Sequence, residues 1–267
     1  MSTRSLSSLL SLSGRVSIVT GAAGSLGTVI CESLAELGSH IALVDILDTY
    51  EQAKQLRETY NINAYSLILD LSSHEDRLNL PSVVYDHFGS LDILVNNAAF
   101  VGSSSLDGWS VPFSDQSYET WACALDLNLS AVFDLCQQSV PYLSRSTCAS
   151  IINISSIYGL VGPDWSLYAG TNMANPAAYA CSKGALIQFT RWLSSTLSPT
   201  IRVNAISPGG IARSQPSVFV ERYCARTPLR RMASEEDFKG VVALLASDAS
   251  SYITGQNIIV DGGWTIW

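Results

Sequence analysis

The chain has 267 residues, of which 47% are hydrophobic and 14% charged. This length and composition suit one large globular domain with a well-buried core and exclude an intrinsically disordered chain. The formal net charge of -8 argues against nucleic acid or an anionic membrane as the main partner, and no apolar run approaches the length needed to cross a bilayer.

The cysteines and the N-terminal segment favour a cytoplasmic protein. Residues 1–13 are rich in serine and lack the apolar core of a secretory signal, so we interpret them as a flexible lead-in to a single domain over residues 14–267. The cysteines form no C-x-x-C pair and no metal-type spacing with histidine, so we expect reduced, mostly buried thiols and no bound metal. They are Cys31, Cys123, Cys136, Cys148, Cys181 and Cys224.

The first motif is a strand, a glycine-rich turn and a helix. The β-branched run Val16–Thr20 is followed by Gly21-Ala22-Ala23-Gly24-Ser25-Leu26-Gly27, and residues 28–37 have helical periodicity. Glycines permit a tight turn and let N–H groups at a helix N-terminus approach a pyrophosphate. Three glycines also occur in purely structural turns, so this motif alone leaves both interpretations open.

A second strand, His40–Asp45, ends in a carboxylate eighteen residues after Gly27. An aspartate at this position can accept both ribose hydroxyls of NAD and would repel the 2′-phosphate of NADP. No arginine or lysine follows at Ile46 or Leu47. We therefore predict NAD in preference to NADP, with a solvated loop aspartate as the alternative.

Strands and helices alternate through the rest of the first half. The patterns predict helices over residues 49–60 and 73–88 and strands over residues 64–70 and 91–95. Alternation of this kind produces parallel βαβ units with right-handed connections. Asp70, at the end of the third strand, could meet the adenine edge of a bound dinucleotide.

Tyr179 and Lys183 stand four residues apart in a helix-like run of the second half, so their side chains share one helix face. A positive charge beside a phenol favours the phenolate and lowers its pKa, which suits proton transfer in carbonyl and alcohol chemistry. The chain has only three lysines. A surface tyrosine and an unrelated lysine form the alternative interpretation.

Four motifs in order make the sequence resemble the short-chain dehydrogenase/reductase (SDR) family, in its short single-domain branch. They are Gly21-Ala22-Ala23-Gly24-Ser25-Leu26-Gly27, Asn96-Asn97-Ala98-Ala99, Tyr179-x-x-x-Lys183 and Ser207-Pro208-Gly209. The resemblance covers nearly the whole chain, from about residue 14 to residue 264. It implies a doubly wound α/β Rossmann fold, with a seven-stranded parallel sheet of order 3-2-1-4-5-6-7 and helices on both faces. It also implies an NAD(H)-dependent oxidoreductase that interconverts a secondary alcohol and a ketone.

The resemblance also assigns catalytic roles. Tyr179 would exchange a proton with the substrate oxygen, while Lys183 would lower the tyrosine pKa and bind the nicotinamide ribose. Asn128, within a predicted long helix over residues 117–142, would hold a water molecule and complete a proton relay. A helix bend or a capped water is the alternative for Asn128.

Two adjacent serines end the predicted strand over residues 150–156. By resemblance Ser156 is the catalytic serine, whose hydroxyl would bind the substrate oxygen and stabilise charge that develops there. Ser155 would have a structural role. The reverse order of the two roles stays open.

The resemblance places a dinucleotide along the carboxyl ends of the strands, with the Ile211 backbone binding the nicotinamide carboxamide. The middle glycine of the family's usual turn is replaced by Ser25, and the spacing of the glycines looks more like the longer branch that acts on nucleotide sugars. Arg213 or Ser214 stands where the family often has a phosphate-binding threonine. The implied cofactor-binding residues are Gly21, Gly24, Ser25, Leu26, Gly27, Asp45, Asp70, Leu71, Asn97, Ala98, Ala99, Tyr179, Lys183, Pro208, Gly209 and Ile211.

The substrate side carries an insertion. Positions 156 and 179 are separated by more residues than is usual in the family, and loops after parallel strands lie over the ligand crevice. We therefore predict a substrate loop over residues 157–174 and a mobile lid over residues 212–230. In the loop, Tyr158, Trp165 and Tyr168 could stack on a sugar-like substrate, with a self-packed surface loop as the alternative.

Two other functions remain open. One is a nucleotide-sugar epimerase or dehydratase of the longer branch, and the other is a non-catalytic NAD-binding sensor. A weaker resemblance connects the chain to oxidoreductases of bacterial surface-sugar and flagellin-glycan pathways. The family resemblance also implies a homodimer or homotetramer that associates through the long helices before strands five and six.

Overall fold

Seven parallel strands form the central sheet of the computed structural model, which describes residues 3–267. Their order is β3-β2-β1-β4-β5-β6-β7, so the predicted doubly wound Rossmann fold is confirmed. The strands are β1 Val16–Thr20, β2 His40–Asp45, β3 Ala64–Ile68, β4 Ile93–Asn96, β5 Ser150–Ile154, β6 Arg202–Pro208 and β7 Asn257–Val260.

Helices cover both faces of this sheet and bury one apolar core on each side. Neighbouring residues of β1 point to opposite faces: Val19 packs in the core on one face, and Ile18 packs in the core on the other. No helix among residues 3–267 is both long and apolar enough to cross a lipid bilayer. The helices are α1 Leu6–Leu10, α2 Ser25–Glu36, α3 Tyr50–Tyr60, α4 His74–Phe88, α5 Tyr118–Leu125, α6 Ala131–Leu143, α7 Ala177–Leu197, α8 Ser217–Arg226 and α9 Lys239–Ala246.

Local chemistry sets the ends of α4 where the sequence predicts them. The Ser73 hydroxyl accepts a hydrogen bond from the Asp76 N–H, and Glu75 and Asp76 lie in the first turn, where the helix dipole favours acids. Gly89 ends the helix with φ of 80°, a left-handed conformation that glycine adopts without steric cost.

The segment predicted as one helix over residues 117–142 is divided. A π-helical turn, Asp126–Ser130, separates α5 from α6. A single π-helical turn of this kind occurs inside otherwise α-helical segments, so the helical pattern of the flanking residues did not reveal it. It turns Asn128 inward, where that residue is only 1% exposed.

The segment predicted as a flexible lead-in, residues 1–13, contains folded structure. Helix α1 is capped by the Ser5 hydroxyl, Leu12 is buried in the core beneath α2, and Arg4 pairs with Asp248 at 2.7 Å. Residues 1 and 2 lie outside the described part of the chain. An apolar residue within a serine-rich stretch thus anchors the segment to the domain.

Candidate active site

The four predicted catalytic residues converge at the carboxyl end of β5. Ser156 follows this strand, Tyr179 and Lys183 lie on the first turns of α7, and Asn128 approaches from the π-helical turn. The Asn128 amide donates a hydrogen bond of 3.3 Å to the hydroxyl of Ser182, which precedes Lys183 on α7. The geometry of a parallel sheet therefore unites side chains that are far apart in the sequence.

The two serines after β5 have different partners. The Ser155 hydroxyl donates to the Lys183 carbonyl at 2.8 Å and fastens α7 to the strand. The Ser156 hydroxyl oxygen accepts the Tyr158 N–H at 3.2 Å, and the same hydroxyl hydrogen-bonds to the phenol of Tyr179 and lowers its pKa. The catalytic role of Ser156 and the structural role of Ser155 stay predictions.

Lys183 is buried, and its ammonium group donates a hydrogen bond of 2.8 Å to the Ile154 carbonyl. Burial lowers the pKa of Lys183 to about 8, because the charged form loses hydration. Gly159 lets the loop after β5 lie against the backbone of α7, since a Cβ there would lie 2.7 Å from the Lys183 carbonyl carbon. The lysine is thus held near the end of β5, with its pKa closer to neutral pH than that of an exposed lysine.

The pKa of Tyr179 is raised, which differs from the predicted net lowering. Burial is the main cause, and the Ser156 hydroxyl and the charge of Arg213 act in the opposite direction. The Lys183 ammonium group is directed to the Ile154 carbonyl and lies 5.8 Å from the centre of the Tyr179 ring. Without a ligand, the phenol is therefore the favoured form.

Both ends of the Asn128 amide hydrogen-bond to the backbone of Phe100. Its Oδ1 accepts the Phe100 N–H at 2.8 Å, and its Nδ2 donates to the Phe100 carbonyl at 3.0 Å. This pairing fixes the chain just after Ala98 and Ala99 against the π-helical turn. Asn128 therefore connects the loop after β4 to α7. Its part in a proton relay stays a prediction.

The glycine-rich turn is packed closely against the start of α2. A Cβ on Gly27 would lie 2.0 Å from the Gly21 carbonyl oxygen, and Gly21 has φ of 66°. Gly24 caps α2 without a side-chain hydrogen bond, so the first N–H groups of this helix, beginning at Ser25 and Leu26, have no helical acceptor. Such groups at a helix N-terminus form an anion site, which fits a dinucleotide pyrophosphate.

Asp45 lies beside this turn. Its carboxylate accepts hydrogen bonds from the Ala23 N–H at 2.9 Å and from the Leu47 N–H at 3.0 Å. A carboxylate accepts about four hydrogen bonds, so lone pairs remain for ribose hydroxyls. The position suits the predicted cofactor contact and also gives Asp45 a structural part in the turn.

Asn97 and Asp70 organise the neighbouring loops. The Asn97 amide donates to the Thr20 carbonyl at 2.9 Å and to the Gly21 carbonyl at 3.0 Å, which ties the end of β4 to the glycine turn. The exposed Asp70 carboxylate accepts the Ser72 N–H at 2.8 Å, and Leu71 is buried beside it. These residues border the region where the resemblance places adenine.

The loop after β6 is held by the lid. The Gly210 N–H donates to the Tyr223 hydroxyl of α8 at 2.6 Å, and Ile211 forms a parallel bridge with Ala233. The two hydrogen bonds beside Ile211 use the N–H groups of Ala212 and Ala233, not that of Ile211. Tyr223 therefore fixes the loop that carries the predicted carboxamide contact.

The substrate loop packs against the lid. Tyr158 and Tyr168 pair through their hydroxyls at 2.5 Å, and the Tyr168 ring lies 5.3 Å from that of Phe219 on α8. Tyr168 is only 7% exposed, whereas Trp165 is 57% exposed. The loop is therefore folded against its surroundings, and of the three aromatic residues Trp165 presents the most free surface.

The loop, the lid and the C-terminal segment share one buried apolar cluster, which we call the substrate-side cluster. It consists of Ile157, Leu167, Tyr168, Phe219, Tyr223, Met232 and Trp264.

An ion pair between Arg226 and Asp164 connects α8 to the substrate loop. The Arg226 guanidinium also lies 4.3 Å from the centre of the Trp264 ring, an attractive cation–π contact. Arg222 adds hydrogen bonds to carbonyls of the loop, including that of Ala169 at 2.5 Å. The lid and the loop are thus joined by charged groups as well as by the apolar cluster.

Sequence reasoning missed Tyr223, Arg226 and Arg77. Spacing along the chain cannot indicate which loop a lid tyrosine will meet, so no local signal marked Tyr223. The concentration of five arginines between residues 213 and 231 in an acidic chain was a usable signal for the lid contacts. Arg77 is buried on α4, and a buried arginine in a helix needs partners that only the tertiary structure supplies.

Comparison with known proteins identifies the family. A family model described as Enoyl-(Acyl carrier protein) reductase matches residues 21–265. The chain is 29% identical over 256 residues to the post-translational flagellin modification protein A of Campylobacter coli, covering 95% of this chain and 99% of the relative. It is 30% identical over 261 residues to the trans-4-hydroxycyclohexanecarboxylate dehydrogenase of Sinomonas cyclohexanicum, covering 94% and 93%. The chain belongs to the short-chain dehydrogenase/reductase family.

Solved structures share the fold over nearly the whole chain. The NAD⁺-bound xylitol dehydrogenase structure has a TM-score of 0.81 at 30% identity and covers 94% of this chain and 99% of its own. The NADPH-dependent 3-quinuclidinone reductase of Rhodotorula rubra has a TM-score of 0.84 at 25% identity and covers 100% and 97%. This protein is thus similar both to an NAD⁺-bound and to an NADPH-dependent enzyme. Its family supports an oxidoreductase that acts on CH–OH groups.

Proposed function

We propose that the protein is an NAD(H)-dependent oxidoreductase that interconverts a secondary alcohol and a ketone on a small polar, sugar-like substrate. The observation that carries the proposal is the convergence of Ser156, Tyr179 and Lys183 at the end of β5, on the same edge of the sheet as the glycine-rich turn, where the first N–H groups of α2 have no helical acceptor. Relatives named as dehydrogenases of a polyol and of a hydroxy acid support the class of substrate.

The residues of the site have separate roles in this proposal. Ser156 donates its O–H to the substrate oxygen, and Tyr179 exchanges a proton with that oxygen. Lys183 binds the nicotinamide ribose, and its charge then stabilises the phenolate form of Tyr179. Asn128 holds the turn that connects this site to a proton relay. When bound, the nicotinamide supplies or accepts the hydride.

The dinucleotide is held by groups of four loops. The N–H groups at the start of α2 bind the pyrophosphate, and Asp45 binds the adenosine ribose. The backbone at Ile211 binds the carboxamide, and Asp70 with Leu71 borders the adenine. We propose NAD over NADP because the carboxylate of Asp45 would repel a 2′-phosphate and Ile46 and Leu47 supply no positive charge.

The substrate contacts are proposed for the loop over residues 157–174. Tyr158 and Tyr168 follow Ser156 closely and share one hydrogen bond between their hydroxyls, so one O–H of the pair remains free for a substrate oxygen. Trp165 is exposed and can stack on a sugar ring. Replacement of Tyr168 by Phe should raise the KM for substrate without changing the affinity for NADH.

The proposal is tested by NAD(H) turnover on a panel of ketones, polyols, hydroxy acids and sugar phosphates. Tyr179→Phe should lower kcat by about 100-fold or more while NADH binding, followed by fluorescence, is retained. Undiminished turnover in this variant would remove Tyr179 from its role. The epimerase or dehydratase alternative instead predicts NAD retained through purification, which mass spectrometry detects, and the sensor alternative predicts binding without turnover.

A homodimer or homotetramer in the cytoplasm is also part of the proposal. Exposed apolar side chains lie on α5, α6 and α7, the helices named by the resemblance. They are Tyr118, Phe133 and Trp192. Contact between subunits would cover this surface. Light scattering that gives the mass of a monomer would contradict it.

A further inference from the structure

Arg77 on α4 connects two regions that the proposed function uses separately. Its side chain is only 3% exposed, and its guanidinium group contacts the loop after β3, the π-helical turn and α6. Burial lowers the pKa of Arg77, but its hydrogen bonds to Asp126 and Asp134 outweigh this effect and the pKa is raised. The residue therefore acts as a fixed cation inside the domain.

The first region is the loop proposed to border the adenine. Arg77 donates to the Leu71 carbonyl at 2.5 Å through Nε and to the Ser72 carbonyl at 3.2 Å through Nη2. The N–H of Asp70 donates to Asp76 of α4 at 3.2 Å. The backbone of this loop is thus set by α4, and chiefly by its arginine.

The second region is the turn that carries Asn128. Both terminal nitrogens of Arg77 donate to the carboxylate of Asp126, the first residue of the π-helical turn. A planar guanidinium that binds a carboxylate through two hydrogen bonds fixes its direction as well as its distance. Asn128, two residues later, then contacts Phe100 and Ser182.

We infer that Arg77 is a positioning residue that holds the adenine-side loop and the Asn128 turn in one arrangement, so that its contact with Asp126 supports proton transfer and its contacts with Leu71 and Ser72 support dinucleotide binding. The inference rests on the proposed function. A displacement of about 1 Å in a catalytic group can lower the rate about 100-fold. Loss of the contact between Arg77 and Asp126 should therefore lower turnover even though Arg77 is remote from the reacting atoms.

Two matched variants separate this role from simple stability. Asp126 and Asp134 both pair with Arg77, with Asp134 at 3.2 Å, but only Asp126 belongs to the Asn128 turn. Asp126→Ala should lower kcat by about tenfold and shift the pH profile of kcat, with the KM for NAD(H) within about twofold. Asp134→Ala removes the same charge and should leave kcat within about twofold.

Arg77→Lys tests the other half of the inference. Lysine keeps the charge but lacks the planar guanidinium group that binds the Leu71 and Ser72 carbonyls. The affinity for NADH in a fluorescence titration should therefore fall about fivefold or more. This titration needs no turnover, so it decides the adenine-side contact even if the panel of substrates fails. A wild-type protein that turns over none of the panel would contradict the proposed function, not the positioning role.

Three results would overturn the inference. They are wild-type kcat in Asp126→Ala, an equal loss of kcat in Asp126→Ala and Asp134→Ala, and unchanged NADH affinity in Arg77→Lys. Circular dichroism and thermal unfolding establish that each variant is folded. The Asp126 side chain is 47% exposed, so its removal leaves no buried cavity, and the pair of aspartate variants stays decisive if Arg77→Lys does not fold.

Discussion

The Lys183 ammonium nitrogen lies 5.8 Å from the centre of the Tyr179 ring and donates a hydrogen bond to the Ile154 carbonyl. The two side chains share a face of α7, and the Ile154 carbonyl at the end of β5 binds the ammonium group. Burial alone therefore dominates the pKa of both groups: it raises that of Tyr179 and lowers that of Lys183. In the proposed function, the ribose hydroxyls of the dinucleotide bind between these two groups.

The lowered pKa of Lys183 predicts a pH dependence of stability. The folded protein releases this proton near pH 8, whereas the unfolded chain keeps it until about pH 10.5. Between these values the unfolded state binds more protons, so the free energy of unfolding rises with pH. From pH 7 to pH 9.5 we expect wild type to gain roughly 2 kcal/mol relative to Lys183→Met. Urea unfolding at the two pH values measures this, and parallel changes in both proteins would contradict it.

Asp45→Asn should reduce the preference for NAD over NADP. The substitution removes the repulsion of a 2′-phosphate and keeps an amide oxygen that can accept the Ala23 N–H. We expect the ratio of kcat/KM for the two cofactors to fall by about tenfold. Asp48→Asn in the same loop is the control and should keep the wild-type ratio. An unchanged ratio in Asp45→Asn would place the ribose elsewhere.

Gly27→Ala should distort the glycine turn. The new Cβ would lie 2.0 Å from the Gly21 carbonyl oxygen, so the backbone must move, at a cost of about 1–3 kcal/mol in unfolding free energy. Dinucleotide affinity should fall with it. Gly24→Ala is the matched control, because its Cβ would lie 3.3 Å from the same oxygen. Equal effects of the two variants on thermal unfolding would contradict the steric argument.

Loss of the ion pair between Arg226 and Asp164 should change the KM for substrate more than the free energy of unfolding. Its side chains are 34% and 25% exposed, so a double-mutant cycle with Arg226→Met and Asp164→Asn should give a coupling of about 1 kcal/mol or less. The KM for substrate should rise in both single variants, since the loop loses its tie to α8. Arg231→Met, whose partner is Asp237, is the control and should leave the KM unchanged.

The sequence predicted the sheet well because each strand carries its own signal. The run Val16–Thr20 and the acid that ends His40–Asp45 are local features, and the order of the strands followed from a family resemblance that the structure confirms. The ends of α4 were also predictable, since Ser73 and Gly89 act on neighbouring backbone groups.

Long-range contacts could not be predicted in the same way. The tie from Arg77 to Asp126 and the hydrogen bond from Gly210 to Tyr223 join positions 49 and 13 residues apart, with no periodicity to indicate either. The shift of the Tyr179 pKa depends on burial and on the direction of the Lys183 side chain. A four-residue spacing gives neither quantity.

The substrate-side cluster has one more consequence. Among the described residues it forms an apolar cluster separate from the cores on the two sheet faces, and its members come from the loop, the lid and the C-terminal segment together. An engineer who grafts the loop and lid of a related enzyme onto this scaffold should therefore transfer both segments together and keep Tyr223, whose hydroxyl binds the Gly210 N–H.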